Sequence, residues 1–315
     1  MGRRVVLSGL LLAGLVAGCG HGSAAPASSP APAKPASAVV AEHQVAPRQL
    51  DLTVRSAALG RTAKVRLLTP VGWAPSSSRR WPVLYLLHGC CDTYDSWTRS
   101  TDVATLPQLR DVLVVMPEGG DIGFYSNWRD GPRWQDFHLR ELPQILADRY
   151  GGGPRRAIAG LSMGGLGAMD YAARRPRMFQ AAASFSGVLH PLGAPRYWLG
   201  LFSNYTDDPS VVWGDPTDDR DVWRRHDPTA LVHALAGIAL FVSAGDGRPG
   251  PFEHGRGKRD PTEAEVGAET RAFVRRAQAL DVPVQADLYG AGIHDWPYWQ
   301  RELHRALPLL LGAIR

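Results

Sequence analysis

Hydrophobic and polar positions change their spacing in a regular order along this chain. Trp81–Leu87 (WPVLYLL) and Asp111–Met116 (DVLVVM) are short, nearly continuous apolar runs, the pattern of strands buried on both faces. Asp136–Tyr150 instead spaces Phe137, Leu142, Ile145 and Leu146 as one face of a helix, stopped by Gly151-Gly152-Gly153. The alternation then repeats: Arg156–Leu161 reads as a strand, Ser162–Arg174 as a helix, and Ala181–Phe185 and Ile238–Ser243 as strands. Thr262–Leu280 (helix), Pro283–Tyr289 (strand) and Tyr298–Leu311 (helix) complete it. Such strand–helix alternation predicts an α/β fold with a doubly wound, mostly parallel sheet and helices on both faces. Upstream, Gln49–Ala57 and Thr62–Thr69 read as an antiparallel pair joined through Ala-Leu-Gly. Leu189–Val232 is long and Trp-rich without a period, and is expected to lie over the carboxyl edge of the sheet, where substrates bind.

The N-terminus follows another logic. Met1–Arg4 is basic and Val5–Val16 is an apolar run of 12 residues, too short for a bilayer but right for the core of an export signal. It ends in Val16-Ala17-Gly18-Cys19, which resembles a bacterial lipobox, so Cys19 is the expected lipidation site and 1–19 the expected signal peptide. Residues 20–47, rich in Ala, Pro and Ser, read as a tether that buries too little apolar surface to fold. The catalytic domain is expected over 48–315. The protein should therefore sit on the outer face of the membrane through a lipid anchor, or be secreted.

The net charge of +5 in 315 residues is modest, and losing Arg3 and Arg4 with a leader lowers it to +3. That argues against nucleic acid as a partner. With Cys19 spent on lipid, only the neighbours Cys90 and Cys91 remain, which cannot staple distant parts of a fold. They are expected to be small buried apolar residues rather than a vicinal disulfide.

Gly160-Leu161-Ser162-Met163-Gly164 is a G-x-S-x-G sequence between a predicted strand and a predicted helix. In that setting flanking glycines permit a tight turn, and the helix start favours developing negative charge, which makes Ser162 the candidate nucleophile. Leu86-Leu87-His88-Gly89 closes an earlier strand, so the backbone N–H groups of Cys90 and Met163 are the expected oxyanion donors. His88 precedes the nucleophile at a strand end and is expected to brace the loop. His294, in the glycine loop Gly290–Trp296 after the last strand, is the candidate base. Asp246, directly after the strand Ile238–Ser243, stands at the usual place for the orienting acid. Trp296 can stack on a sugar or acyl group. No metal or other cofactor is called for.

The stretches WPVLYLLHG, VVMPEGG, GFYSNW, AGLSMGG, ASFSGVLHP, RRHDPTAL and GIHDWPYWQREL occur in this order across residues 48–312. In them the chain resembles the esterase D family, and particularly the mycobacterial antigen 85 mycolyltransferases. The resemblance implies an α/β-hydrolase fold, no cofactor, and acyl transfer through a Ser–His–Glu triad and an acyl-enzyme. Those relatives carry Asn at the position of Asp246 and a Glu ahead of a later helix, which implies Glu263 as the acid. Glu265 is its near rival, and Asp246 stays open. Two departures bear on the acceptor: His88 stands where the mycolyltransferases have Asp, and the loop Cys90–Trp97 is shorter and lacks their Arg.

The expected activity is an exported serine esterase or acyltransferase that passes an acyl group to water or to a hydroxyl acceptor, a sugar among the candidates. Its substrate would be a small-molecule or lipid ester. The rival class is a catalytically silent surface adhesion protein that keeps the fold.

Overall fold

The computed structural model describes residues 37–75 and 77–315, and the expected signal peptide, Cys19 and the first part of the tether lie outside them. Among the described residues, nine strands form one sheet in the order β1-β2-β3-β5-β4-β6-β7-β8-β9. They are β1 (Ala38–Ala46), β2 (Gln49–Ser56), β3 (Arg61–Leu68), β4 (Trp81–Leu87), β5 (Leu113–Pro117), β6 (Gly152–Leu161), β7 (Ala181–Phe185), β8 (Ala239–Gly245) and β9 (Gln285–Gly290). The first three pair antiparallel, β3 joins β5 antiparallel, and every pairing from β5 to β9 is parallel. The sheet is thus mostly parallel and covered by helices on both faces, an α/β-hydrolase architecture.

Alternation within each strand divides the core. On β4, Val83, Tyr85 and Leu87 face one apolar layer while Leu84 and Leu86 face the other. The first layer is closed by the helices Leu142–Arg149, Met163–Arg174 and Pro261–Ala279, through residues such as Leu146, Leu166, Met169 and Phe273. The second is closed by the C-terminal helix Trp296–Ile314, whose Leu303, Leu307, Leu310 and Ile314 recur at helical spacing. Because β4, β6, β7, β8 and β9 run parallel, their carboxyl ends share one edge, and the loops there carry the site.

Three expectations need correction. Ala38–Ala46, assigned to the tether, is strand β1, paired along β2. Its side chains are mostly exposed, so the backbone ladder holds it without an apolar face for the sequence to reveal. The helix expected over 136–150 begins at Trp134 and passes through a π turn, Phe137–Glu141, before Leu142–Arg149. Cys90 and Cys91 form a disulfide, with Cys90 half-buried and Cys91 exposed. Their loop turns out of the core, since Cys91 has a φ of 67° and donates its N–H to Asp121 O at 2.9 Å.

The Trp-rich stretch has order without a period. Short helices, among them Pro195–Phe202 and Arg220–Arg225, gather Trp198, Trp213 and Trp223 around Phe124 and Phe202. Each indole N–H finds an acceptor: Glu269 for Trp198, Ser126 for Trp213 and Gly214 O for Trp223.

Candidate active site

Ser162 occupies the turn from β6 into the helix Met163–Arg174, with φ 52° and ψ −121°. A residue with a side chain rarely adopts this conformation, and such turns persist where the surroundings over-determine them. Two glycines make it possible. A Cβ on Gly160 would lie 2.2 Å from Gly164 O, and one on Gly164 would lie 2.4 Å from Leu87 O. The helix start can therefore sit directly on the end of β4, beside the loop that begins with His88. The N–H groups of Met163 and Cys90 donate to no protein acceptor among the described residues.

His88 braces this loop as expected. Its Nε2 accepts from Gly119 N–H at 2.8 Å, so its Nδ1 carries the proton and donates to Gly89 O at 2.8 Å. Its carbonyl accepts from the Tyr125 hydroxyl at 3.0 Å.

The candidate base and acid are brought together from elements 31 residues apart. His294, in the loop between β9 and the C-terminal helix, has Nδ1 2.8 Å from Glu263 Oε2. Glu263 is fully buried in the first turn of the helix Pro261–Ala279. Its Oε1 accepts from the Ser186 hydroxyl (2.9 Å), Gly245 N–H (2.5 Å) and the Tyr289 hydroxyl (3.1 Å). Four donors on two oxygens suit an ionised carboxylate, which only accepts. Burial and the adjacent Glu263 charge push the Tyr289 phenol well above its ordinary range, which keeps it an O–H donor. With Glu263 accepting at Nδ1, the Nε2 of His294 is left with its lone pair.

Asp246 and Glu265 lie elsewhere. The carboxylate of Asp246 is tied to Arg248 at 2.7 Å, and that partner holds it below its usual range. Glu265 is half-buried, and its carboxylate makes no hydrogen bond or ion pair among the described residues. Of the three carboxylates the sequence left open, only Glu263 meets His294.

Sequence reasoning missed two positioning groups. Asp260 caps the helix start, its Oδ1 accepting from Thr262 and Glu263 N–H, while its Oδ2 accepts from His294 N–H at 3.0 Å. One carboxylate thus fixes the backbones of both partners. The signal was present in Asp-Pro-Thr-Glu, an N-cap followed by Pro at the first helical position. Ser186, at φ 48° after β7, receives Trp299 Nε1–H at 3.1 Å and passes its own hydroxyl to Glu263. Nothing in its sequence context marked it.

Ser162, His294, Cys90, Cys91 and Trp296 line one cleft of about 290 Å³. Trp296 is half-buried and packs edge-to-face on Trp97 (5.4 Å) and Trp299 (5.2 Å). His294 meets Trp299 edge-on at 4.9 Å, so its ring is fixed by an aromatic wall as well as by Glu263.

Residues 56–310 match the family described as "Putative esterase". The chain belongs to this esterase family. It is 31 % identical over 277 residues to the diacylglycerol acyltransferase/mycolyltransferase Ag85A of Mycobacterium gordonae, covering 79 % of this chain and 76 % of that protein. To the esterase Rv1288 of Mycobacterium tuberculosis it is 31 % identical over 260 residues, 78 % of this chain but only 55 % of that longer protein. Among solved structures it resembles Mycobacterium tuberculosis MPT51 with a TM-score of 0.69 and 27 % identity, covering 84 % of this chain and 98 % of that one. The esterase family thus spans the same strands and loops that assemble the Ser162 cleft. Its members here include both esterases and acyltransferases.

Proposed function

We propose that this chain is a serine esterase or acyltransferase that works through an acyl-Ser162 intermediate. The Ser162 hydroxyl attacks the ester carbonyl as His294 Nε2 takes its proton, and the imidazolium formed is stabilised by Glu263. The carbonyl oxygen, now an oxyanion, is met by the N–H groups of Cys90 and Met163. Collapse expels the alcohol, which receives the proton from His294. Water or a hydroxyl acceptor then repeats the sequence in reverse, leaving an acid or a new ester with Ser162 restored. The observation that carries this reading is that His294, held by the buried Glu263, lines the same cleft as a serine in an elbow conformation.

The substrate is a small-molecule or lipid ester, and Trp296 supplies an aromatic wall for its acyl or sugar part. His88 in place of the mycolyltransferases' Asp is spent on bracing the loop, which argues against their mode of holding a sugar. Export and lipid anchoring through Cys19 complete the proposal, on the strength of the Val16–Cys19 sequence.

Incubation of Ser162→Ala with p-nitrophenyl esters and a fluorophosphonate probe tests the chemistry. Turnover should fall by at least about 10³-fold with an unchanged melting temperature, and covalent labelling should vanish. Labelling that persists in the variant would remove Ser162 from the role. Mass spectrometry of the wild type with ester and a sugar or glycerol acceptor separates hydrolysis from transfer, through the ratio of free acid to new ester.

A further inference from the structure

A second cavity, of about 460 Å³, lies at the opposite end of the sheet from Ser162. It is lined by Arg156, midway along β6, by Arg174–Met178, which links the elbow helix to β7, and by Leu139. Among the described residues, three of the four arginines have no acidic partner. Met178 N–H donates to Arg175 O at 2.8 Å, a β-turn whose second residue, Pro176, has a fixed φ, so Arg175 and Arg177 project from a stiff support. Arg156 is anchored by its Nε–H on Gly153 O (3.1 Å) and by its backbone N–H on Gln180 Oε1 (2.7 Å), leaving its terminal nitrogens uncommitted. Arg174 alone is neutralised, by Asp170 at 2.7 Å, and it alone is explained by the helix C-terminus it closes. Arg156, Arg175 and Arg177 have no acidic partner among the described residues, and no carboxylate lines the cavity. Leu139, Pro176 and Met178 give it an apolar side. A different basic cavity, beside His190, Arg220 and Arg224, includes the buried carboxylate of Asp227, which offsets its charge.

We propose that the Arg156–Arg175–Arg177 cavity binds a phosphate group, carried on a lipid headgroup or free in solution. Three guanidinium forks match the tetrahedral oxygens of phosphate, and the apolar side accepts whatever carbon the phosphate bears. Since the cavity lies at the amino edge of the sheet, its occupant cannot be the ester that acylates Ser162. A headgroup bound there would leave the catalytic cleft facing away from the lipid.

The test uses the full chain, Arg175→Gln/Arg177→Gln, and Arg220→Gln/Arg224→Gln as a control that removes the same charge elsewhere. Calorimetry with inorganic phosphate, at ionic strength matched with chloride, should show binding weakened at least about tenfold in the first variant and little changed in the control. Vesicles of phosphatidylglycerol and phosphatidylcholine are compared with phosphatidylcholine alone, which reports any binding through the N-terminal apolar run. Extra sedimentation with the anionic vesicles, lost in the first variant and competed by phosphate, identifies a headgroup site. Phosphate binding without it identifies a site for free phosphate. Ester turnover should be the same in all three proteins. Wild-type protein that binds neither probe, or a control variant that loses as much as the first, overturns the proposal.

Discussion

The carboxylates of Glu263 and Asp260 between them receive seven hydrogen bonds, and two of these hold the side chain and the backbone of His294. If Glu263 orients the imidazole and balances its charge, exchanging it for its amide keeps the shape but removes both effects. Glu263→Gln should lower kcat by at least about 10²-fold, whereas Asp246→Asn and Glu265→Gln stay within about tenfold. Saturating-ester kinetics with parallel melting curves would show this, and a large loss confined to Asp246→Asn would reverse the assignment. A second histidine, His138, is buried away from this site and bears on the pH dependence of stability. His138 donates Nε2–H to Glu118 O and accepts the Tyr171 hydroxyl at Nδ1, and burial depresses its pKa to about 3. Its folded pKa lies below the ordinary 6.5, so its contribution is present above pH 6.5 and is lost as pH falls from there toward 3. The acid-side slope from this one proton is about 1.4 kcal/mol per pH unit. Chemical denaturation between pH 7 and pH 4 should therefore be steeper for the wild type than for His138→Gln. Equal slopes would mean that another group takes up the proton.

At the scale of elements, the loop from His88 to Asp92 is held from several sides: by His88 between Gly119 and Gly89, by Tyr125 on the His88 carbonyl, and by Cys91 N–H on Asp121. The disulfide adds to these without replacing them. Cys90→Ala removes the bridge but leaves the backbone N–H, so activity should remain within about tenfold, against the 10²–10³ typical of a lost oxyanion donor. A fall on the larger scale in a folded variant would show that the bridge itself positions the donor. The same elements show what a sequence can and cannot disclose. Strands β4, β5, β7 and β8 were legible because each is largely an apolar run that must be buried twice, and β6 because its second half, 157–161, is one. The elbow was legible because Gly160 and Gly164 leave no room for a Cβ. Strand β1 was hidden, since hydrogen bonds along β2 hold Ala38–Ala46 and its side chains face water. The cysteine bridge was hidden because pairing depends on how the loop turns at Cys91. The acid was named only through the family resemblance, which implied Glu263; the local sequence alone did not separate it from Glu265, two residues on in the same helix start.

For the whole molecule, the sheet separates two chemistries: a cleft with Ser162 at its carboxyl edge and an arginine-lined cavity at its amino edge. The proposed location rests on the Val16–Cys19 sequence and has its own test. Expressed in a native-like bacterial host, it should partition into detergent, and Cys19→Ala should release or mislocalise it. Purified protein that begins at Ala25 or later and carries no lipid mass would rule out the anchor. The disulfide offers an independent test of the proposed export. A chain still in a reducing cytosol carries thiols at Cys90 and Cys91, whereas one matured in an oxidising compartment carries the bridge. Because Cys91 is exposed in the wall of the cleft, a small alkylating reagent can mark the first kind of molecule and must pass over the second. If the protein is exported as proposed, the fraction that resists alkylation counts the molecules that have left the cell interior, and the mark falls in the same cleft as Ser162.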